Sequence, residues 1–166
     1  MAKKKRSCYQ TALDLLSRRD HFQRELVEKL RARSFPADEI DVAIARCQEL
    51  DLLDDERVAQ RFVEVRAADR GWGPRRLAAE LRQRGLSSDD ADRLSNLSEE
   101  LAADAMRTAL RKLEVRAPAA WWRDGQRRAR MVSSLITRGF EAEVAIAAVD
   151  ELAASRENHS HALDDQ

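Results

Sequence analysis

Apolar positions recur along this chain at helical spacing, and one version of the pattern occurs three times. In residues 24–33, RELVEKLRAR, they fall at Leu26, Val27 and Leu30. In 75–84, RRLAAELRQR, they fall at Leu77, Ala78 and Leu81, and in 129–138, ARMVSSLITR, at Met131, Val132, Leu135 and Ile136. Apolar residues at i, i+1 and i+4 form one stripe along a helix. The stripes begin 51 and 54 residues apart, and each is followed by an arginine (Arg33, Arg84, Arg138) and then by Ser34, Gly85 or Gly139. Glycine just past a last turn takes the left-handed conformation that ends helices. Ser34 does so less readily, so the first turn is expected to differ from the other two.

A further helix is predicted on each side of every stripe. Before them, Ala12, Leu13 and Leu16 mark the first, and Asp54 or Asp55 is placed to cap the second, with Val58, Phe62 and Val65 inward. Ser98 is placed to cap the third, which carries Leu101, Ala105 and Leu113. After the stripes, Ile40 and Ile44, then Ala91 and Leu94, then Val144, Ala148 and Val149 supply buried faces. Ser87 with Asp90 resembles a capping box, and Pro36 suits a first turn. The repeat is therefore about fifty residues and three helices. A unit of this size buries little surface alone, so neighbours should stack. The expected architecture is all-α: three tandem three-helix repeats, at 11–53, 54–97 and 98–152, stacked into an elongated, curved rod. A basic tail at 1–10 and a polar tail at 153–166, expected to be disordered, flank them. A single compact bundle is the alternative.

Composition supports helix: of 166 residues only five are Gly and three Pro, and aromatics are 5%. Net charge is zero, but its distribution is uneven. Residues 1–10 carry +4 through Lys3, Lys4, Lys5 and Arg6. Residues 107–138 hold nine basic and two acidic side chains, and residues 66–84 hold six and two. Such clusters bind phosphates even when the total cancels, although charge runs are often only solvated faces.

Little points to catalysis. Cys8 and Cys47 have no metal spacing and suit a reducing cytoplasm, with Cys47 on an apolar helix face. His21 has no second His or Cys at i+3 or i+4 to complete a metal pair, and no Gly-rich phosphate loop, GxSxG or HExxH is present. No apolar run approaches membrane-spanning length, and MAKKKR is not followed by an apolar signal core. No enzyme activity, metal or cofactor is expected.

Two runs are more specific. LLDDERVAQRF at 52–62 leads into RGWGPRRLAAELRQRGLS at 70–87, after LSRRDHFQRELVEKL at 16–30. The D-D-x-R-x-A-x-x-F and G-x-G-P-x-x-L runs, the R-D-H-x-x-x-E-L run and the R-G-F turn of the third unit resemble the RecX family of bacterial RecA regulators. The likeness covers roughly residues 9–152. It implies three tandem three-helix units, no enzymatic activity, and binding along the RecA–DNA filament. Inhibition of RecA ATPase, recombinase and strand-exchange activity would follow, with effects on DNA repair and the SOS response. A cytoplasmic monomer is expected, binding the RecA filament and, weakly and without sequence preference, single- or double-stranded DNA, with no membrane contact.

The candidate contact residues are basic or aromatic. Arg33, Arg84 and Arg138 share one repeat position, where they either line an edge of the rod or stabilise helix ends. Arg66, Arg70, Arg75 and Arg76 surround Trp72, which either stacks on a base or packs across a helix junction. Arg123, Arg127, Arg128 and Arg130 form the densest cluster, beside Trp121 and Trp122, which suit a core anchor. Two other functions compete: a helix-turn-helix DNA-binding protein built on LRQRGLSSDDADRL, and a helical scaffold that binds only protein. The acidic start of the helix after that turn counts against the former.

Overall fold

The stripes close into two cores of unequal size. In the computed structural model, which describes residues 6–164 and their side chains as far as Ser160, every regular element is a helix. Lys3, Lys4 and Lys5 of the basic tail lie outside the described residues.

The first unit comprises α1 (Cys8–Leu16), α2 (Gln23–Arg31) and α3 (Ala37–Glu49). Ser7 caps α1 by accepting from the Gln10 N–H at 3.2 Å, while the Gln10 side chain accepts from the Ser7 N–H. This capping box starts the helix at Cys8, inside the segment expected to be a tail. Ala12, Leu15, Leu26, Leu30, Ile40, Ile44, Leu53 and both cysteines form a core of their own.

The second unit comprises α4 (Asp55–Arg70), α5 (Pro74–Gln83) and α6 (Ser88–Ser95), and the third α7 (Glu99–Glu114), α8 (Gly125–Thr137) and α9 (Ala142–Asp164). A single 3-10 turn, Trp121–Arg123, precedes α8. These two units share one core, which runs from Ala59, Val63 and Ala67 through Leu77 and Leu81 to Ala105, Ala109, Leu135 and Val149. Phe22 of the first unit reaches into it. Small residues on α4 and α7 let those helices approach closely, so α4 buries Ala59, Val63 and Ala67. Val65, expected inward, is 46% exposed, and Val58 and Phe62 are half-buried. Ile136 and Val144 also face out; Leu135 and Ala145 are buried beside them.

All three repeat turns share one geometry. Ser34 has φ 63°, Gly85 105° and Gly139 93°. In each, the N–H of the next residue reaches back five residues: Phe35 to the Leu30 carbonyl, Leu86 to Leu81, Phe140 to Leu135. The first turn therefore does not differ; Ser34 takes the left-handed conformation regardless. The polar tail 153–166, expected to be disordered, continues α9 as far as Asp164, while Asp165 and Gln166 lie outside the described residues.

Candidate nucleic-acid interface

The glycines of R-G-W-G-P join the second unit to the third. Gly71, at φ 66°, ends α4 and lies against the α7 backbone, where a Cβ would stand 2.7 Å from the Ala109 nitrogen. Gly73 meets Gly139: the Gly73 N–H donates to the Arg138 carbonyl at 2.8 Å and the Arg75 N–H to the Gly139 carbonyl at 3.1 Å. A Cβ on Gly73 would come within 2.6 Å of the Gly139 oxygen. The two motif turns, 66 residues apart in sequence, are thus clamped backbone to backbone.

The D-D pair joins the first unit to the second. Asp54 caps α4, accepting from the Arg57 N–H at 3.0 Å. Asp55 reaches across to accept the Gln23 N–H at 2.7 Å, capping α2, whose own cap residue Phe22 has no side-chain acceptor. Burial raises the Asp55 pKa above the ordinary aspartate value, and the Gln23 hydrogen bond only partly offsets this. His21 of R-D-H is 3% exposed, with Nδ1 3.1 Å from the Glu25 carboxylate. Burial by itself would raise the Glu25 pKa, but the Arg19 hydrogen bonds and the adjacent His21 outweigh it and hold the carboxyl lower.

Between these joints the arginines and aromatics alternate. The Arg84 guanidinium lies 4.6 Å from the Phe62 ring centre and 5.7 Å from Phe22. Arg66 lies 5.3 Å from Phe62 and 5.6 Å from Trp72, and Arg76 lies 4.2 Å from Trp72. Phe22, Phe62 and Trp72 pack edge to face at 6.4 and 6.3 Å. Each contact combines cation–π attraction with aromatic packing. The half-buried Trp72 therefore spans a helix junction with two guanidinium groups over its ring.

Arg76 carries the ladder into a cleft of about 640 Å³ where α4, α5, α7 and α8 converge. Arg70, Arg76, Arg111, Lys112, Arg116 and Arg138 line it, with no carboxylate in the lining. None of the six forms an ion pair with a described residue. Burial, and then the positive charges of Arg116 and Arg76, lower the Arg138 pKa from its ordinary value. Arg138 stays charged all the same. Its Nη1 also donates to the Ser134 carbonyl at 3.1 Å.

The other arginines named from sequence lie elsewhere or are compensated. Arg33 is exposed and donates to the Lys29 carbonyl at 2.7 Å, a helix-end role. Arg84 is turned toward the aromatics, with Glu80 at 3.6 Å. Arg33, Arg84 and Arg138 thus share a repeat position but not a surface. Arg75 pairs with Glu141 across the second joint. The dense cluster divides: Arg127 pairs with Asp124 at 3.3 Å and Arg128 approaches Asp150 at 3.7 Å. Arg123 is exposed, and Arg130 lines a small recess beside Arg116 and Arg127. Arg111, Lys112 and Arg116 were not singled out from sequence. Their only signal is an excess of positive charge near the end of α7, which helix-end stabilisation explains equally well.

Burial pushes both thiols up, with Glu39 and Cys47 adding to the effect at Cys8, which favours the neutral thiol. Among the described residues no group of three or more His, Cys, Asp or Glu could hold a metal, and no helix is long and apolar enough to cross a membrane.

Known proteins are similar to this chain in sequence and fold. The profile described as RecX, first three-helix domain, matches residues 8–47, and that described as RecX, second three-helix domain, matches residues 54–94. The regulatory protein RecX of Pseudomonas entomophila is 38% identical over 135 residues, 81% of this chain and 84% of that protein. That of Pseudomonas fluorescens SBW25 is 38% identical with the same coverage. The crystal structure of RecX from Lactobacillus salivarius superposes with a TM-score of 0.74 at 25% identity, covering 87% of this chain and 94% of that one. These relatives are named as regulatory proteins rather than enzymes. The chain therefore belongs to the RecX family.

Proposed function

We propose that this protein regulates a RecA recombinase by lying along the RecA–DNA filament and restraining its ATPase, recombinase and strand-exchange activities. In the cytoplasm it would thereby modulate DNA repair and the SOS response. Family membership supports the class of partner. The observation that carries a DNA-facing mode is the cleft between the second and third units, six cations with no carboxylate among them. Elsewhere the protein mostly neutralises its arginines with Asp and Glu, so this concentration stands out against a chain of zero net charge.

A sequence-reading helix-turn-helix is disfavoured by the helix that would have to read. In α6, Asp89 and Asp90 occupy the first turn, and Arg93 is held by Glu56 at 2.8 Å and Asp90 at 3.1 Å. Such a helix presents carboxylates to phosphate. A scaffold that binds only protein predicts no dependence on DNA.

The test is RecA's DNA-dependent ATP hydrolysis, titrated with this protein. Hydrolysis should fall at substoichiometric amounts, because one elongated molecule contacting neighbouring protomers affects a whole filament. Unchanged hydrolysis at excess protein contradicts the proposal.

A further inference from the structure

We infer that this protein associates head to tail with copies of itself, the outer face of α3 in one molecule seating on the basic cleft of the next.

α3 packs inward on α1 and α2 through Ile40, Ala43, Ile44 and Cys47. Its other side is open: Asp38, Asp41, Val42, Ala45 and Glu49, at spacings of three and four, form one exposed stripe. Val42 is 70% exposed, and the exposed Leu50 and Leu52 extend the apolar surface past the helix end. Single exposed apolar residues are ordinary, but these are bordered by charge of one sign. Residues 37–56 hold eight acidic side chains and one basic one. Asp54 and Asp55 cap helices, and Glu56 holds Arg93. The other five carboxylates, Asp38, Glu39, Asp41, Glu49 and Asp51, form no ion pair with a described residue. The helix dipole accounts for Asp38 and Glu39, in the first turn of α3, but Glu49, at its last position, stands against it.

The cleft is the counterpart of this face. Its six cations likewise have no ion-pair partner among the described residues, and Val115, 82% exposed, stands among them as Val42 stands among the carboxylates. An apolar centre with charges around it is the anatomy of a protein interface. A second copy is the occupant because both halves belong to this chain and match in sign and number, five carboxylates against six cations. The two surfaces belong to different cores, and no ion pair among the described residues joins them, so they meet between molecules. Two unlike surfaces on one molecule make a heterologous contact, in which each copy offers a face at one end and a cleft at the other. Exposed ion pairs contribute little each and are screened by salt, so the association is weak, concentration-dependent and lost at high ionic strength.

The experiment is sedimentation velocity of the full chain over a concentration series, at about 0.05 M and about 0.5 M salt. The sedimentation coefficient should rise with concentration at low salt and stay at the monomer value at high salt. Two variants each impair one surface. D41K/E49K alters exposed residues of α3 outside its first turn, and R111Q/R116Q alters exposed residues of the cleft, so both should keep the parent's helix content by circular dichroism. Each alone should associate at least about tenfold more weakly than the parent. Mixed in equal amounts, they should regain the parent's affinity yet stop at a dimer, because one intact face then meets one intact cleft. A parent that stays monomeric throughout the series would overturn the inference, as would a mixture no more associated than its components. Association that survives in both variants places the contact elsewhere and overturns it too. So does a monomeric parent whose D41K/E49K variant no longer inhibits RecA, an outcome that gives the α3 face to the recombinase instead.

Discussion

Ser34 shows how strongly the turn geometry is imposed. It occupies the position that glycine fills in the other two units, at φ 63°, and the same five-residue reach from Phe35 to Leu30 closes the helix around it. A left-handed residue with a Cβ costs about 1–2 kcal/mol, and glycine's greater freedom in the unfolded chain returns about 0.5–1 kcal/mol of the gain on replacement. Ser34→Gly should therefore stabilise the protein by about 0.5–1 kcal/mol, read as a higher denaturant midpoint at unchanged slope. A lower midpoint would mean that the serine makes a contact the turn depends on. At this scale much was legible. The repeated stripes identified Leu26, Leu30, Leu77, Leu81 and Leu135, all fully buried. What periodicity missed is which of two neighbouring apolar residues turns inward. Val63 rather than Val65, and Ala145 rather than Val144, are chosen by close packing between helices, which one helix's pattern does not record.

Between elements, the motif glycines act as spacers. Sequence placed Gly71 and Gly73 in a turn before α5; their partners, Ala109 and Gly139, belong to another unit. Pairing of that kind has no local signal, because the turns that meet lie far apart in the chain. Gly139→Ala should be severe: its Cβ would stand 2.3 Å from the Arg76 nitrogen, in a left-handed conformation. Strain and overpacking together predict a loss of about 2–4 kcal/mol in chemical denaturation. Gly125→Ala is the control, since nothing lies within 4 Å of its added carbon and it begins α8. That change should be neutral or stabilising by up to about 1 kcal/mol. Similar losses in both variants would show that the joint is loose and that the cost is only local backbone preference. The two aspartates show the same division between local and distant roles. Of the two aspartates placed to cap α4, Asp54 does so, whereas Asp55 serves α2 in the preceding unit.

Across the whole molecule, charge follows the stacking. The densest run of arginines in sequence, 127–130, is divided by folding, with Arg127 and Arg128 facing acidic partners. The largest uncompensated group among the described residues is assembled instead around four helices, and half of it, Arg111, Lys112 and Arg116, showed in sequence only as part of the basic run 107–138. Arg66, Arg70, Trp72, Arg76 and Arg138 were legible because they sit in or beside the glycine motifs that make the joint. The central claim is that position in this cleft, not total charge, gives the protein its hold on a RecA–DNA filament. The most direct measurement compares two double variants that each remove two positive charges, using inhibition of RecA's DNA-dependent ATP hydrolysis. R111Q/R116Q alters the cleft. R31Q/R57Q alters the ends of α2 and α4, where both arginines are exposed and outside the cleft lining. The account predicts that R111Q/R116Q needs about tenfold more protein for half-inhibition while R31Q/R57Q inhibits like the parent. Equal weakening by the two variants, or none by R111Q/R116Q, would contradict it.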